Sequence, residues 1–312
     1  MSQVRKFLVE RFPGNDYYAG HIAELLCAYE KSDLASPHLV EEVVSGDDGK
    51  LWARVWEAMI YRHLLSLGFQ PHSAGVKKSG EHGPDFGIVH NGQTIWIEAV
   101  TPAPQGIPSN YLEPPKKCEV EFKPVLNEEP LLRWTSVLRD KRNKLESDKK
   151  HGIIDGKDCT IIAVNSCRLH DWKPDDLGVS RFPFAVEAVF PIGPVAYPIS
   201  EDGQPDGEPV YIPRYEIRKT NNSSVPTANF LNPEYANVSA LLGCYHKPMM
   251  NRHYDKTEKI TLTLVHNPLA AVPLPRGILG VEKEYIAEKG REGRRPVRSA
   301  VDDPDDVNGT EP

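Results

Sequence analysis

The hydrophobic and polar positions of this chain predict helices at the start and a mixture of strands and helices afterwards. From residue 48 onward, apolar residues recur every three or four positions until Gly68 ends the run. Three short extended segments follow, and beyond a proline-bearing loop at 102–129 come an amphipathic helix and an apolar strand. The predicted helices are 15–30, 37–45, 48–67 and 131–149, and the predicted strands are 69–76, 84–90, 94–101 and 159–165. The order from residue 50 to residue 165 is therefore helix, three strands, helix, strand.

The remainder of the chain has a weaker pattern. Candidate strands separated by proline- and glycine-bearing loops lie at 194–199, 208–216, 237–243 and 259–265. The last segment, which is first basic and then acidic, predicts disorder. We therefore predict an N-terminal helical segment (1–47), an α/β core with a mixed sheet (48–166), a β-rich extension packed on that core (167–288) and a disordered charged tail (289–312).

Composition narrows the class of protein. The chain has 312 residues, of which 39% are hydrophobic and 26% charged, as expected for a globular protein. A net charge of −7 disfavours a protein that simply coats nucleic acid or an anionic membrane, although five acidic residues lie in the last twelve positions. Five widely spaced cysteines and no apolar stretch of membrane-spanning length indicate a cytoplasmic protein with reduced thiols and no membrane partner.

The most informative stretch is a predicted hairpin around Asn91-Gly92. This dipeptide between two β-prone runs is typical of a two-residue type I′ turn. The turn sets the register, so that opposed residues have numbers that add to 183. Asp85 then lies across from Glu98, with the two Cβ atoms about 4.5–5.5 Å apart. The opposite, apolar face carries Phe86, Ile88, Ile95 and Ile97.

Two carboxylates in opposed positions on a sheet repel each other and destabilise it. A divalent cation between Asp85 and Glu98 would remove the repulsion, because carboxylate oxygens are ligands that Mg²⁺ prefers. The alternative is a polar face whose charges point into water. The hairpin pattern alone leaves both interpretations open.

With Pro84-Asp85 on the second strand and Glu98 on the third, residues 50–165 resemble the core of the PD-(D/E)xK nucleases, the restriction-endonuclease-like fold. The resemblance implies an α/β (α+β) core of helix, three strands, helix and strand, decorated by N-terminal helices and a C-terminal β-rich extension. It implies that Asp85 and Glu98 bind Mg²⁺ or Mn²⁺, and that Glu57 on the preceding helix is a third acidic member. Glu57 lies on the flank of its helix's apolar stripe, from which it could equally well face water.

The chain departs from the family pattern at the motif lysine, whose place is taken by Val100. In the following helix, Lys141 completes an apolar stripe formed by Leu131, Trp134, Leu138 and Leu145. A lysine in such a stripe is costly to bury unless it is paired. Since related nucleases relocate the lysine to this helix, Lys141 is the predicted catalytic replacement and Lys144 the second choice. The alternative is that the aliphatic part of the Lys141 side chain covers the core while its ammonium group stays in water.

The helix that carries Lys141 has a local surplus of basic residues, with seven against three acidic ones between residues 133 and 150. Each phosphate that such residues neutralise adds affinity through counterion release. Its predicted nucleic-acid contacts are Arg139, Arg142, Lys144 and Lys149. The alternative is a solvated charged helix face.

Other site signatures are weak. The chain lacks the phosphate-binding, dinucleotide-binding, serine-hydrolase and zinc-protease motifs GxxxxGK[ST], GxGxxG, GxSxG and HExxH. Cys244, His246 and His253 form an incomplete zinc pattern that has no fourth ligand.

The resemblance therefore implies a Mg²⁺-dependent endonuclease that hydrolyses phosphodiester bonds, with DNA as its partner and a homodimer as a possible assembly. By analogy, its role would be restriction or defence. The alternative is a catalytically inactive nuclease-like module that binds nucleic acid or a partner protein. In that case Val100, in place of the motif lysine, marks the loss of catalytic activity. The two differ in whether Lys141 reaches Asp85 and Glu98. A third reading is an enzyme of another class in which that pair is only a polar hairpin face.

Overall fold

The computed structural model describes eight segments of the chain, and only the backbone of Ser2 and of residues 288–298 within them. The described segments are 2–74, 83–113, 125–169, 176–204, 206–219, 221–246, 261–290 and 293–298. Their helices are α1 (Ser2–Arg11), α2 (Asp16–Glu30), α3 (Leu39–Val44), α4 (Asp48–Ser66), α5 (Glu128–Lys150) and α6 (Phe184–Glu187). None of these helices is both long and apolar enough to cross a membrane.

Seven strands form one mixed sheet in the order β1-β2-β3-β8-β9-β10-β11. β2 pairs in parallel with β3, β3 with β8 and β9 with β10, whereas the other three pairs are antiparallel. Two separate antiparallel ribbons, β4–β5 and β6–β7, lie between β3 and β8 along the chain. The strands are β1 (Phe86–His90), β2 (Gln93–Val100), β3 (Cys159–Asn165), β4 (Ile192–Ala196), β5 (Val210–Pro213), β6 (Glu216–Arg218), β7 (Ser224–Pro226), β8 (Ala240–Cys244), β9 (Leu262–His266), β10 (Lys283–Gly290) and β11 (Gly293–Arg298).

The predicted mixed α/β class is confirmed, and the sheet lies between two apolar cores. Helices α1 to α4 pack on the face that carries the predicted apolar residues of the hairpin, such as Phe86 and Ile97. Helices α5 and α6 pack on the other face, where Trp134 and Ile162 are buried. Glu98 therefore belongs to the α5 side of the sheet, because successive residues of a strand point to opposite faces.

Helix α4 packs on the sheet as its periodicity predicts. Asp47 caps its first turn by accepting hydrogen bonds from the amides of Gly49 and Lys50, at 2.6 and 3.3 Å. Trp56, in the middle of the helix, is 1% exposed and donates its indole N–H to the carbonyl of Ala163 in β3, at 3.0 Å. This bond ties α4 to the centre of the sheet.

The predicted strand at 69–76 is described as far as residue 74, and in that part it forms a single β-bridge. His72 and Gly87 exchange two backbone hydrogen bonds of 2.7 and 2.8 Å, and the His72 ring lies edge-on against Trp96. A Cβ atom on Gly87 would come within 2.6 Å of the His72 ring, so the pairing is confined to the glycine that makes room for it. Residues 75–76 lie outside the described part of the chain.

The tail predicted to be disordered from residue 289 contributes instead to the sheet as far as Arg298. β10 and β11 form an antiparallel pair, and β10 also pairs in parallel with β9. Pro296 is tolerated because β11 is an edge strand, where a missing amide hydrogen does not interrupt the sheet. The sequence of these two strands has no apolar periodicity from which their backbone pairing could be predicted. The rest of the tail, 299–312, lies outside the described residues.

Replacing Trp56 with alanine tests how strongly α4 is anchored. We expect Trp56→Ala to lower the free energy of unfolding by about 3–5 kcal/mol, because it removes a buried ring and leaves a cavity. Leu65→Ala is the matched control on the same helix, since Leu65 is 46% exposed, and it should change stability by no more than about 0.5 kcal/mol. Urea denaturation followed by circular dichroism measures both, and equal losses would contradict this packing.

Candidate active site

The hairpin has the predicted register. His90 pairs with Gln93, and the ladder continues to Phe86 opposite Ile97. Asn91 and Gly92 have φ angles of 49° and 77°, as the two central residues of a type I′ turn require. Asp85 lies just before β1, where it meets the β2 segment that carries Glu98.

Asp85 is bound to the backbone next to Glu98. The amide N–H of Ala99 donates to Oδ2 of Asp85 at 2.7 Å. Burial and the negative charges of Glu98 and Glu57 together raise the pKa of Asp85 to about 8, although Lys144 and the Ala99 amide lower it. Without a bound cation, this carboxyl therefore holds a proton at neutral pH.

Glu98 is buried and held by two lysines of α5. Its side chain is 1% exposed, and its Oε1 accepts a 2.6 Å hydrogen bond from Nζ of Lys141. Its Oε2 accepts a 2.5 Å bond from Nζ of Lys144, which also donates to the carbonyl of Gly83 at 3.0 Å. Two ammonium groups thus satisfy both oxygens of one buried carboxylate.

Lys141 reaches this position because of the stripe on α5. Leu131, Trp134, Leu138 and Leu145 are all fully buried on the sheet side of the helix. Burial by itself would lower the pKa of Lys141, but its ion pair with Glu98 outweighs that effect and raises the pKa overall. Lys141 is therefore a cation, and its ammonium group is paired rather than extended into water.

Glu57 lies near this pair, but it has partners of its own. Arg54 donates from Nη1 to both oxygens of Glu57, at 2.7 and 2.6 Å, and also binds Glu42 at 2.6 Å. The hydroxyl of Tyr29 donates to Glu57 at 3.4 Å. Burial raises the pKa of Glu57, while Arg54 and Tyr29 lower it. The negative charge of Glu57 raises the pKa of Asp85. Glu57, the predicted third acidic residue, therefore lies at the border of the site, where it is paired with Arg54.

The predicted nucleic-acid contacts divide between different parts of α5. Of the four, Lys144 alone binds Glu98. Lys149 points to the carbonyl of Asn237 at 3.5 Å, and burial lowers its pKa. Arg139 is 3.7 Å from Asp140, and Arg142 is 3.1 Å from Glu234. Both arginines line a cavity that Lys144 and Lys149 do not reach, so the structure does not bring the set together around Asp85.

Some site contacts were not predicted. Lys144 was the second choice for the relocated lysine, but simultaneous contact of Lys141 and Lys144 with Glu98 was not predicted, because position 144 lies off the apolar stripe. Arg54 could have been found, since an arginine three residues before a glutamate on one helix is a usual ion-pair spacing. The approach of Tyr29 from α2 has no local signal, because it depends on the packing of α2 against α4.

Among the described residues, no group of three or more histidine, cysteine, aspartate or glutamate side chains is arranged to hold a metal ion. Of the weak zinc pattern, Cys244 is buried and its thiol pKa is raised by that burial. His253 lies outside the described part of the chain.

The residues present suit a divalent cation at Asp85. Asp85 is buried beside the negative charges of Glu98 and Glu57, and hard oxygen donors of this kind are those that Mg²⁺ and Mn²⁺ prefer. Glu98 could contribute an oxygen if one of its two lysines moved, because the other would still keep the carboxylate paired. Asp85 and Glu98 are therefore the residues that would hold the ion.

A double-mutant cycle tests the shared carboxylate. We expect Lys141→Met and Lys144→Met each to lower the free energy of unfolding by about 1–2 kcal/mol, because Glu98 keeps one partner. The double variant should lose about 3–5 kcal/mol, more than the two together, since it leaves a buried charge unpaired. Urea denaturation measures the cycle, and strictly additive losses would show that the lysines do not share Glu98.

The raised pKa of Asp85 also predicts a pH dependence of stability. Between the ordinary carboxyl value of 3.8 and the folded value of about 8, the unfolded carboxyl is ionised while the folded one keeps its proton. The contribution of Asp85 to stability therefore falls as the pH rises through this range. Relative to the native chain, Asp85→Asn should become more stable from pH 5 to pH 8, by at most about 1.4 kcal/mol per pH unit. Denaturation in EDTA measures this, and a constant difference would contradict the assignment.

Comparison with known proteins adds no further identification. No protein-family model, curated protein or solved structure matches this chain.

Proposed function

We propose that this protein is a nuclease dependent on Mg²⁺ or Mn²⁺, with a restriction-endonuclease-like core and DNA as its substrate. The observation that carries the proposal is the position of Lys141, whose ammonium group lies 2.6 Å from Glu98 on the strand that also binds Asp85. A relocated lysine beside two hairpin carboxylates supplies the group that Val100 cannot.

The order of elements supports the same proposal. Helix α4 is followed by the His72 bridge, the β1–β2 hairpin, α5 and β3. This sequence of helix, extended segments, helix and strand is that of the nuclease core which residues 50–165 resemble. The first extended segment is shorter than the resemblance implies, since its described part pairs through one residue.

The side chains at the site suit phosphodiester hydrolysis. A bound divalent ion would lower the pKa of a coordinated water and offset the charge that develops on the phosphate. Asp85 and Glu98 would supply the negative charge that holds such an ion. Lys141, already cationic, would orient the water or stabilise the charge that develops on the phosphate oxygens. Lys144 would keep Glu98 neutralised while Lys141 acts.

A second function, a nuclease-like module that binds nucleic acid without cleaving it, is favoured by one observation. Both oxygens of Glu98 are already engaged by lysines, so the carboxylate is neutralised without a metal ion. An inactive relative would keep such a pair as a purely structural link between α5 and the sheet. The two functions differ in whether Asp85 is needed for catalysis.

Cleavage assays distinguish them. Purified protein is incubated with single- and double-stranded DNA and RNA in the presence of Mg²⁺, Mn²⁺ or EDTA, and the products are resolved on denaturing gels. We expect metal-dependent cleavage of DNA that is abolished by Asp85→Ala. Lys141→Met should slow cleavage by about a hundredfold or more, because it removes a cation at the developing charge.

Lys150→Met is the matched control, because Lys150 is the last residue of the same helix and its side chain is 71% exposed. This variant should cleave at the native rate. Cleavage that survives Asp85→Ala would refute the site. If no nucleic acid is cleaved but one is bound in EDTA, the binding module is the better description.

A further inference from the structure

Helix α5 presents a second group of residues on a different face from Lys141. With about 100° of rotation per residue, Arg142 lies about 100° and Arg139 about 160° around the helix axis from Lys141. This face, the β6–β7 ribbon and the short helical turns at Asn229–Leu231 and Pro233–Tyr235 line a cavity of about 430 Å³, which we call the α5 cleft. Sites for small molecules usually have volumes of about 300–1,000 Å³, so the cleft is large enough for one such ligand.

The α5 cleft is electropositive. Four of its side chains are cationic and two are anionic, which leaves a surplus of two positive charges. The cations are Arg133, Arg139, Arg142 and Lys219, and the anions are Glu129 and Glu234. Three of the four cations are guanidinium groups, whose planar donors match the oxygens of a phosphate better than an ammonium group does.

Arg142 is the most constrained of these cations. Its guanidinium carbon lies 5.3 Å from the centre of the Tyr235 ring, and its Nη2 donates to Glu234 at 3.1 Å. Its Nε is buried and has no hydrogen-bond partner among the described residues. Since Glu234 is a solvent-exposed partner, this ion pair contributes little stability and can yield to a more strongly bound anion.

The rest of the lining is not charged. Leu132, Val225 and Pro226 form an apolar wall, and Gln105, Ser136 and Asn232 add amide and hydroxyl groups. The cleft therefore offers cations for a phosphate, an apolar surface for a flat ring, and hydrogen-bonding groups for the polar edges of that ring. A nucleoside phosphate has these three chemical features.

We propose that the α5 cleft binds a nucleoside phosphate, with the phosphate at Arg139 and Arg142 and the nucleoside against Leu132, Val225 and Pro226. The ligand is either a free mononucleotide or one nucleotide of a strand, since both present the same chemistry. This site goes beyond the proposed nuclease activity and does not depend on it, because the cleft and the Asp85–Glu98 pair lie on different faces of α5.

Calorimetric titration in EDTA at low salt tests the proposal without any contribution from metal-dependent cleavage. The probes are adenosine 5′-monophosphate, adenosine and inorganic phosphate. We expect the full chain to bind the mononucleotide more tightly than either part alone. Arg139→Glu should weaken its binding about tenfold or more, because it replaces a phosphate donor with a repelling charge. This position is 57% exposed, so the variant should fold.

Two further variants separate recognition from a loss of folding. Lys150→Glu makes the same charge reversal on α5 outside the cleft and should leave the affinity within about twofold. Glu234→Gln releases Arg142 from its partner and should raise the affinity, a gain that an unfolded protein cannot produce. Absence of mononucleotide binding, equal binding of inorganic phosphate, or native affinity in Arg139→Glu would each overturn the proposal.

A final arm identifies the source of the ligand. A single-stranded oligonucleotide that binds more tightly than the mononucleotide, and is weakened by Arg139→Glu, would assign the cleft to a nucleic-acid strand. Equal affinities for the two probes would assign it to a free mononucleotide. Either result supports a nucleoside-phosphate site and leaves the test of cleavage at Asp85 separate.

Discussion

The burial of Glu98 is the constraint on which the site depends. A carboxylate that is 1% exposed would be strongly destabilising if it were unpaired, and two ammonium groups of α5 prevent this. The rotation of α5 about its axis is therefore set by charge as well as by the apolar stripe beneath it. Because Lys144 also binds the carbonyl of Gly83, the same interaction fixes the segment that leads into Asp85. One buried charge thus aligns a helix, a strand and a loop.

Local rules predicted the centre of the site but not its surroundings. The Asn91-Gly92 turn alone sets the hairpin register, and helical periodicity alone places Lys141 over the sheet. Within the predicted N-terminal helical segment, α1 was not located as a separate helix, although Val4 and Leu8 follow helical spacing and are buried. The contact of Tyr29 with Glu57 and the pairing of β10 with β9 depend on partners that only tertiary structure brings together. The sequence therefore predicts side-chain contacts between elements that are neighbours along the chain. It predicts fewer of the contacts between segments that are far apart in the chain.

Helix α5 separates two regions of different electrostatic character. On the sheet side, two of its lysines are paired with one buried carboxylate. On the far side its arginines outnumber the acidic residues around them. The net charge of −7 for the whole chain conceals this division. A charge count over one helix face is more informative than one over the chain, because charges in physiological salt are screened over about 8 Å.

The parallel pairing of β3 with β8 has a consequence for the order of folding. These strands are adjacent in the sheet, yet the two ribbons β4–β5 and β6–β7 lie between them along the chain. Closing such a long loop is entropically costly, and contacts of this kind form late. A hairpin such as β1–β2 can form within about 1–10 μs. During folding, the two carboxylates should therefore come together before the central sheet is complete, and their mutual repulsion should keep the hairpin weak until α5 has docked.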